Sequence, residues 1–239
     1  MNMVYIGNAR ISEHGTVNGT RGDQTGREVM IQPWSQGGFW SYVIRPKSEA
    51  EAKKIAAAMT DACGNANIGY SQEDRLSLYN LASKNGYKLG KVGKCNCDCS
   101  SLVAVCCLAA GIKVSPSLYT GNELSVLQGT GKFTVYTSTS YTHAETKLRA
   151  GDILLRQGHT AIVTSGAVPF TSDQQKPATA KKKSTTAIAK EIIAGKCSDP
   201  RWKTWGYAPI RGRRLKKAGY TKAERKKIQD KVNELMRGK

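Results

Sequence analysis

Residues 98–110 read DCSSLVAVCCLAA and are followed by Gly111. This pattern predicts an α-helix that begins near Asp98 or Cys99 and is capped by the side chain of Asp98 or Ser100. The apolar face of the helix is formed by Leu102, Val103, Cys106 and Ala110. Cys99 then lies at the helix N-terminus, where unpaired backbone N–H groups and the positive end of the helix dipole favour a thiolate.

A cysteine nucleophile needs a base, and histidine is the usual one. Only three histidines are present, and of these His159 begins a strand-like run, HTAIVT, directly after GDILLRQG. A histidine at the start of a strand, facing a helix N-terminus across a cleft, is a papain-like arrangement. We therefore predict Cys99 as nucleophile and His159 as base. Two alternatives stay open: Cys97 is the nucleophile if the helix begins earlier, or the pair is a buried structural cysteine and a surface histidine.

Two further helices precede this segment. Ser48 begins the first, with Glu51 completing a capping box. Ser71 is predicted to begin the second, with Asp74 in the capping position, and Asn85-Gly86 to end it.

The remaining pattern favours strands. Residues 1–46 are rich in Gly, Thr and aromatic side chains, which indicates short strands and turns. Later strand-like runs are Phe133 to Tyr136, Asp152 to Leu155 and Thr160 to Val163. Together these elements predict an α+β fold.

Two motifs resemble those of bacterial-wall cysteine peptidases. The run DCSSLV at 98–103 resembles the D-C-S-G-L-V nucleophile motif of NlpC-type peptidases. The runs GDIL at 151–154 and GHTAIV at 158–163 resemble the histidine motif that NlpC-type and CHAP peptidases share. The resemblance covers roughly residues 70–168 and implies a papain-like fold in which the cysteine attacks a wall peptide bond and the histidine acts as base and then acid. Residues 12–26 also resemble the opening of phage-encoded peptidases from Gram-positive hosts.

The chain departs from those families in two places. Ser101 stands where the family has glycine, which a helix tolerates. The third, polar residue that orients the histidine has no obvious counterpart on the strand after His159. The candidates for this orienting group are Thr171, Asp173, Asp23 and Gln24.

The C-terminal segment is predicted to form three short helices within residues 187–239. Its landmarks resemble the CW-seven-type cell-wall-binding repeat of phage lysins, with residues 197–204 as an insertion. The resemblance implies a muropeptide ligand, and the residues carried over are Arg211, Arg214, Gly219 and Tyr220. The structural alternative places Tyr220 in the helical core and the arginines on a solvated face.

Charge divides the chain unevenly. Lys and Arg number 37 against 18 Asp and Glu, a net charge of +19. Residues 171–239 carry +14 of it and residues 1–170 only +5. Residues 171–186 have the composition of a flexible basic linker, so we predict a catalytic domain at 1–170 and a wall-binding domain at 187–239. Such a charge attracts polyanions, and we expect the polyanion to be the Gram-positive wall with its teichoic acids.

Composition also limits the other function classes. Seven cysteines, an odd number, argue against a disulfide framework, and their spacing is unlike a zinc site, so we expect no metal and no cofactor. No apolar run is long enough to cross a membrane, and no secretory signal is visible. We therefore expect synthesis in the host bacterial cytoplasm and action on the wall after release.

The function predicted from these observations is that of a phage endolysin, a peptidoglycan hydrolase that cuts a peptide bond of the wall. An N-acetylmuramoyl-L-alanine amidase of the same thiol type is one alternative. A non-catalytic protein that binds nucleic acid or another polyanion is the other, although specific nucleic-acid binding would not need a cysteine–histidine pair.

Overall fold

The chain divides into two units, Met1–Gln175 and Lys176–Lys239. A computed structural model describes the following residues: 3–12, 14–168, 183–197, 204–205, 208–218 and 220–237. No helix in these ranges is both long and apolar enough to cross a membrane.

The strands of the first unit form two sheets. In chain order they are β1 (Tyr5–Ala9), β2 (Val29–Pro33), β3 (Tyr42–Pro46), β4 (Ile68–Tyr70), β5 (Cys95–Cys97), β6 (Phe133–Tyr136), β7 (Ile153–Arg156) and β8 (His159–Ser165). The larger sheet is antiparallel throughout, in the order β2-β1-β8-β7-β3-β6, whereas β4 and β5 pair in parallel. The three later strands predicted from sequence are confirmed to within two residues at their ends, and β4 and β5 were not predicted.

The α-helices of the first unit alternate with these strands along the sequence. They are α1 (Glu49–Cys63), α2 (Ser77–Ala82), α3 (Cys99–Ala109), α4 (Glu123–Gly129) and α5 (Thr139–Thr142). Ser48 caps α1 by accepting the N–H of Glu51, as predicted, and Gly64 follows the last residue. The Glu51 carboxylate pairs with Lys132, so the predicted capping box is not completed. The mixed content and the antiparallel sheet confirm the α+β class.

The predicted start of the second helix is wrong. Ser71 lies in an isolated β-bridge with Asn18, and α2 begins only at Ser77. Asp74 is not a free capping residue, because its carboxylate pairs with Arg21, 53 positions away, at 2.8 Å and also accepts from the Ser77 hydroxyl. The local hydrogen bond from the Asp74 N–H to Ser71 Oγ forms at 3.0 Å, but it closes a turn that precedes α2.

The larger sheet separates two apolar clusters. On one side, Ile44, Ile153 and Ile162 pack with the buried faces of α1 and α3. On the other side, Ala161 and Val163 of β8 pack with Trp40 and other apolar side chains. Successive side chains of β8 therefore alternate between the two clusters, as strand geometry requires.

The second unit consists, in its described part, of α6 (Thr185–Ile193), α7 (Ala208–Lys217) and α8 (Lys222–Arg237). These agree with the three helices predicted from sequence. Their small core is formed by Ile188, Trp205, Leu215, Tyr220 and Ile228.

Candidate active site

Cys99 is the first residue of α3, and the helix begins as the sequence predicts. The Asp98 carboxylate accepts the N–H of Ser101 at 2.7 Å, and the Ser101 hydroxyl accepts the N–H of Asp98 at 2.9 Å. This reciprocal capping box fixes the helix start and hence the position of the thiol.

Arg75 anchors the cap from outside the helix. Its Nε lies 2.8 Å from Asp98 Oδ2, and its Nη2 donates to Ser100 Oγ at 3.1 Å and to the carbonyl oxygen of Leu118. One guanidinium therefore holds the first turn of α3 and the loop that leads to α4. The side chains of Arg75 and Asp98 are only 21% and 13% exposed, so the pair is better shielded from water than a surface ion pair.

The Cys99 thiol is nearly buried, with 8% of the residue exposed. Burial raises its pKa to about 12, and the Asp98 and Glu123 carboxylates add to the rise. Backbone N–H groups of Thr160 and Ser100 bond the sulfur and oppose that rise. At neutral pH the thiol is therefore protonated in this conformation, unlike the thiolate expected from the helix N-terminus alone.

His159 begins β8, as predicted, and its ring stacks on Trp40 with the centroids 5.9 Å apart. The Arg156 guanidinium covers the same indole at 5.7 Å. Burial lowers the pKa of His159 to about 4, and the charges of Arg156 and Arg10 lower it further. The imidazole is therefore neutral at pH 7, which is the form that can accept a proton.

Strand β8 carries His159 and, next to it, the backbone that contacts the Cys99 sulfur, but the two side chains do not meet. By strand alternation the His159 ring lies on the Trp40 side of the sheet and the Thr160 side chain on the α3 side. Thr160, the residue after His159, donates its backbone N–H to the Cys99 sulfur. No hydrogen bond joins the sulfur to the imidazole among the described residues, and the ring lies against Trp40 instead. The thiol thus contacts the edge of the strand on which the histidine stands.

The candidate orienting residues are not next to this histidine where they can be located. The Asp23 carboxylate accepts the N–H groups of Thr25 and Gly26, and the Gln24 side-chain amide donates to Gly22 O at 2.7 Å, so both side chains bond within their own loop. Thr171 and Asp173 lie outside the described residues.

The neighbouring cysteines occupy the small parallel sheet. Cys97, the alternative nucleophile, ends β5 before the helix begins and is fully buried. Its thiol donates to Gly69 O at 3.7 Å, and burial raises its pKa well above the usual range. Cys97 is therefore less accessible than Cys99. Within the described ranges, no cluster of three or more His, Cys, Asp or Glu residues could hold a metal ion.

Glu123 was not predicted from the sequence. It is the first residue of α4, is completely buried, and its Oε1 lies 2.7 Å from the Thr160 hydroxyl. In sequence, TGNELS is an ordinary helix start in a polar stretch, and nothing local distinguishes a buried carboxyl from an exposed one. Only the tertiary structure places this acid near Cys99.

The wall-binding candidates lie in the second unit. Tyr220 is buried in the three-helix core, and its hydroxyl donates to Lys183 O at 3.1 Å. Arg211 and Arg214 are half-buried, and donate to Gln229 Oε1 at 2.9 Å and to Thr204 O at 2.6 Å. Gly219 lies outside the described residues. Tyr220 thus has the place of a core residue.

The family model of the endolysin-like domain matches residues 6–169, which is most of the first unit and more than half of the chain. No curated protein and no solved structure shows significant similarity to the chain. The matched segment contains the capped cysteine of α3 and the histidine of β8, and the chain belongs to the endolysin-like domain family.

Proposed function

We propose that this protein is a thiol-dependent peptidoglycan hydrolase in which Cys99 is the nucleophile and His159 the base. The observation that carries the proposal is the contact between the Cys99 sulfur and the backbone of Thr160, beside His159, in a domain of the endolysin-like family. Endolysins act on the bacterial cell wall, and the NlpC and CHAP motif resemblance assigns the chemistry to a cysteine.

The protonation states of the thiol and the imidazole support a general-base mechanism that starts from two neutral groups. The imidazole of His159 takes the thiol proton of Cys99 as the sulfur attacks the carbonyl carbon of an amide in the wall. The first N–H groups of α3 stabilise the oxyanion. His159 then protonates the departing amine, and water hydrolyses the thioester to release the acid and restore the thiol.

We favour a peptide bond of the stem or cross-bridge as the scissile bond. The same chemistry would cut the amide between the muramoyl lactyl group and L-alanine. Mass spectrometry of fragments released from defined walls separates the two: a new peptide amine with a free peptide acid identifies an endopeptidase, and a freed lactyl carboxyl identifies an amidase.

The second unit is proposed to hold the enzyme on the wall through a CW-seven-type module. Arg211 and Arg214 support this assignment because their positions are fixed by hydrogen bonds while part of each side chain stays exposed. Tyr220 supports the fold of the module rather than contact with a ligand. The +14 charge of residues 171–239 adds a long-range attraction to anionic wall polymers.

The experiment that tests the catalytic proposal compares clearance of purified Gram-positive walls by the wild type and two variants. Cys99→Ala should abolish clearance, and His159→Ala should lower the rate by at least about 100-fold. Cys63→Ala is the matched control, because Cys63 is another thiol of the same unit at the end of α1, and it should keep the wild-type rate. Clearance by a folded Cys99→Ala variant would disprove the thiol mechanism.

A further inference from the structure

A buried acid lies close to the proposed nucleophile. Glu123 is 0% exposed, its Oε1 contacts the Thr160 hydroxyl at 2.7 Å, and its Oε2 has no hydrogen-bond partner in the described residues. An ionised carboxylate with one oxygen unpartnered in a protein interior is costly. Burial of Glu123 therefore favours its protonated form.

The hydrogen bonds of Thr160 also indicate that Glu123 is protonated. Its Oγ1 lies 2.7 Å from Glu123 Oε1 and 3.0 Å from the carbonyl oxygen of Leu154, yet the hydroxyl has only one proton to donate. Both contacts are hydrogen bonds at once only if Glu123 is protonated and donates to Thr160, which then donates to Leu154. Burial also raises the pKa of Glu123 to about 8, and the charge of Asp98 adds to that rise.

Thr160 connects this acid to the thiol. The residue bonds Glu123 through its side chain and the Cys99 sulfur through its backbone N–H. A negative charge on Glu123 raises the pKa of Cys99, so ionising the acid makes the thiolate harder to form.

The other ionisable groups near Glu123 do not cancel its charge. Asp98 and Cys99 face it from the start of α3, and the Cys107 thiol is affected by it from further along that helix. Thr160 is its partner on β8, and Arg75 is engaged by Asp98. No cation of the described residues forms an ion pair with Glu123.

We propose that Glu123 is a positioning residue of the thiol site, kept protonated by its burial and its bond to Thr160, which holds Thr160 against Cys99 and suppresses the Cys99 thiolate when it ionises. This rests on the assignment of Cys99 as nucleophile in the proposed function. Its consequence is that the thiol responds to pH through a second group as well as through its own proton.

The test measures the thiol directly, without any wall substrate. The rate of Cys99 alkylation by iodoacetamide is followed from pH 6 to 10 in the full-length protein, with the modified cysteine identified by peptide mass spectrometry. In the wild type the logarithm of the rate should rise with pH, flatten near pH 8 as Glu123 ionises, and rise again. Glu123→Gln, which keeps the size of the side chain and a hydrogen-bond donor, should lose the flattening and react about 3- to 10-fold faster at pH 9.5 while matching the wild type at pH 6.5.

Cys63 provides an internal control in the same samples, because it is a half-buried thiol whose pKa is also raised to about 12 by burial and is not influenced by Glu123. Its alkylation profile should be identical in both proteins. Superimposable Cys99 profiles for wild type and Glu123→Gln would overturn the proposal. Because no wall is used, this failure differs from failure of the proposed function, which would appear as wall clearance by Cys99→Ala.

A second pair of variants covers the case in which Glu123→Gln does not fold. Thr160→Ser keeps the hydroxyl and should keep the flattening near pH 8. Thr160→Val removes the hydrogen bond between Glu123 and the Thr160 hydroxyl. Losing it costs the ionised carboxylate more than the neutral acid, so the flattening should move to higher pH. An unchanged profile in Thr160→Val would also overturn the proposal.

Discussion

Arg45 and Asp152 form a bidentate ion pair in the interior of the first unit. Arg45 Nε lies 2.7 Å from Oδ1 and Nη2 lies 2.6 Å from Oδ2, with the two side chains 8% and 0% exposed. Arg45 also donates to Lys147 O, and Asp152 accepts the N–H of Arg149 at 2.9 Å. The aspartate of the GDIL motif therefore ties β3 to the start of β7, and its role in this chain is structural.

Breaking this pair should destabilise the fold strongly. Arg45→Met leaves the Asp152 carboxylate buried without its cation, and we expect the free energy of unfolding to fall by about 3–5 kcal/mol. Urea denaturation followed by circular dichroism measures the loss. Lys132→Met is the matched control, since Lys132 pairs with Glu51 at the surface and is 54% exposed, and its loss should be below about 1 kcal/mol. Equal losses in the two variants would contradict the structural role of the buried pair.

Gly151 of the same motif is required by the backbone. Its φ is +88°, and a Cβ added there would lie 2.4 Å from the carbonyl oxygen of Ala52 in α1. Gly151→Ala should therefore lower the free energy of unfolding by about 2 kcal/mol or more. A Cβ added at Gly93 would meet open space, and the residue has no positive φ. Gly93→Ala should therefore leave the free energy of unfolding, measured by urea denaturation of both variants, nearly unchanged. Wild-type stability in Gly151→Ala would mean that α1 can move away from this turn without cost.

The sequence predicted those parts of the site that depend on local interactions. The start of α3 could be predicted because Asp98 caps its own helix, and His159 could be placed because strand alternation and the preceding Gly158 are local signals. The start of α2 was mispredicted because Ser71 forms a β-bridge with Asn18, distant in sequence, and its hydrogen bond with Asp74 closes a turn. Glu123 was missed because its burial arises from packing against residues distant in sequence.

The charge of Asp98 should restrain the thiol that it positions. Asp98 is an N-cap, yet its carboxylate raises the pKa of Cys99. Asp98→Asn keeps a good capping side chain while removing the charge and leaving Arg75 with an uncompensated charge nearby. We expect Cys99 in this variant to react with iodoacetamide several-fold faster at pH 8, with the protein still folded. A rate equal to or below that of the wild type would show that Asp98 does not restrain Cys99 through its charge.

The free energy of unfolding should depend on pH through two buried groups, His159 and Glu123, whose effects have opposite signs. The folded-state pKa of His159 is lowered from 6.5 to about 4, so between these values the unfolded chain binds more protons and stability rises with pH. The folded-state pKa of Glu123 is raised from 4.5 to about 8, so between those values the folded chain binds more protons and stability falls with pH. The two slopes oppose each other from pH 4.5 to 6.5, and the Glu123 slope acts alone from 6.5 to 8, with an upper limit of about 1.4 kcal/mol per pH unit.

Urea denaturation at a series of pH values should therefore show a decline in stability above pH 6.5 that Glu123→Gln removes. His159→Gln should instead expose a decline between pH 4.5 and 6.5 that is compensated in the wild type. If both variants kept the wild-type profile, neither group would change its protonation on folding, and the neutral thiol, imidazole and carboxyl from which the mechanism starts would need to be revised.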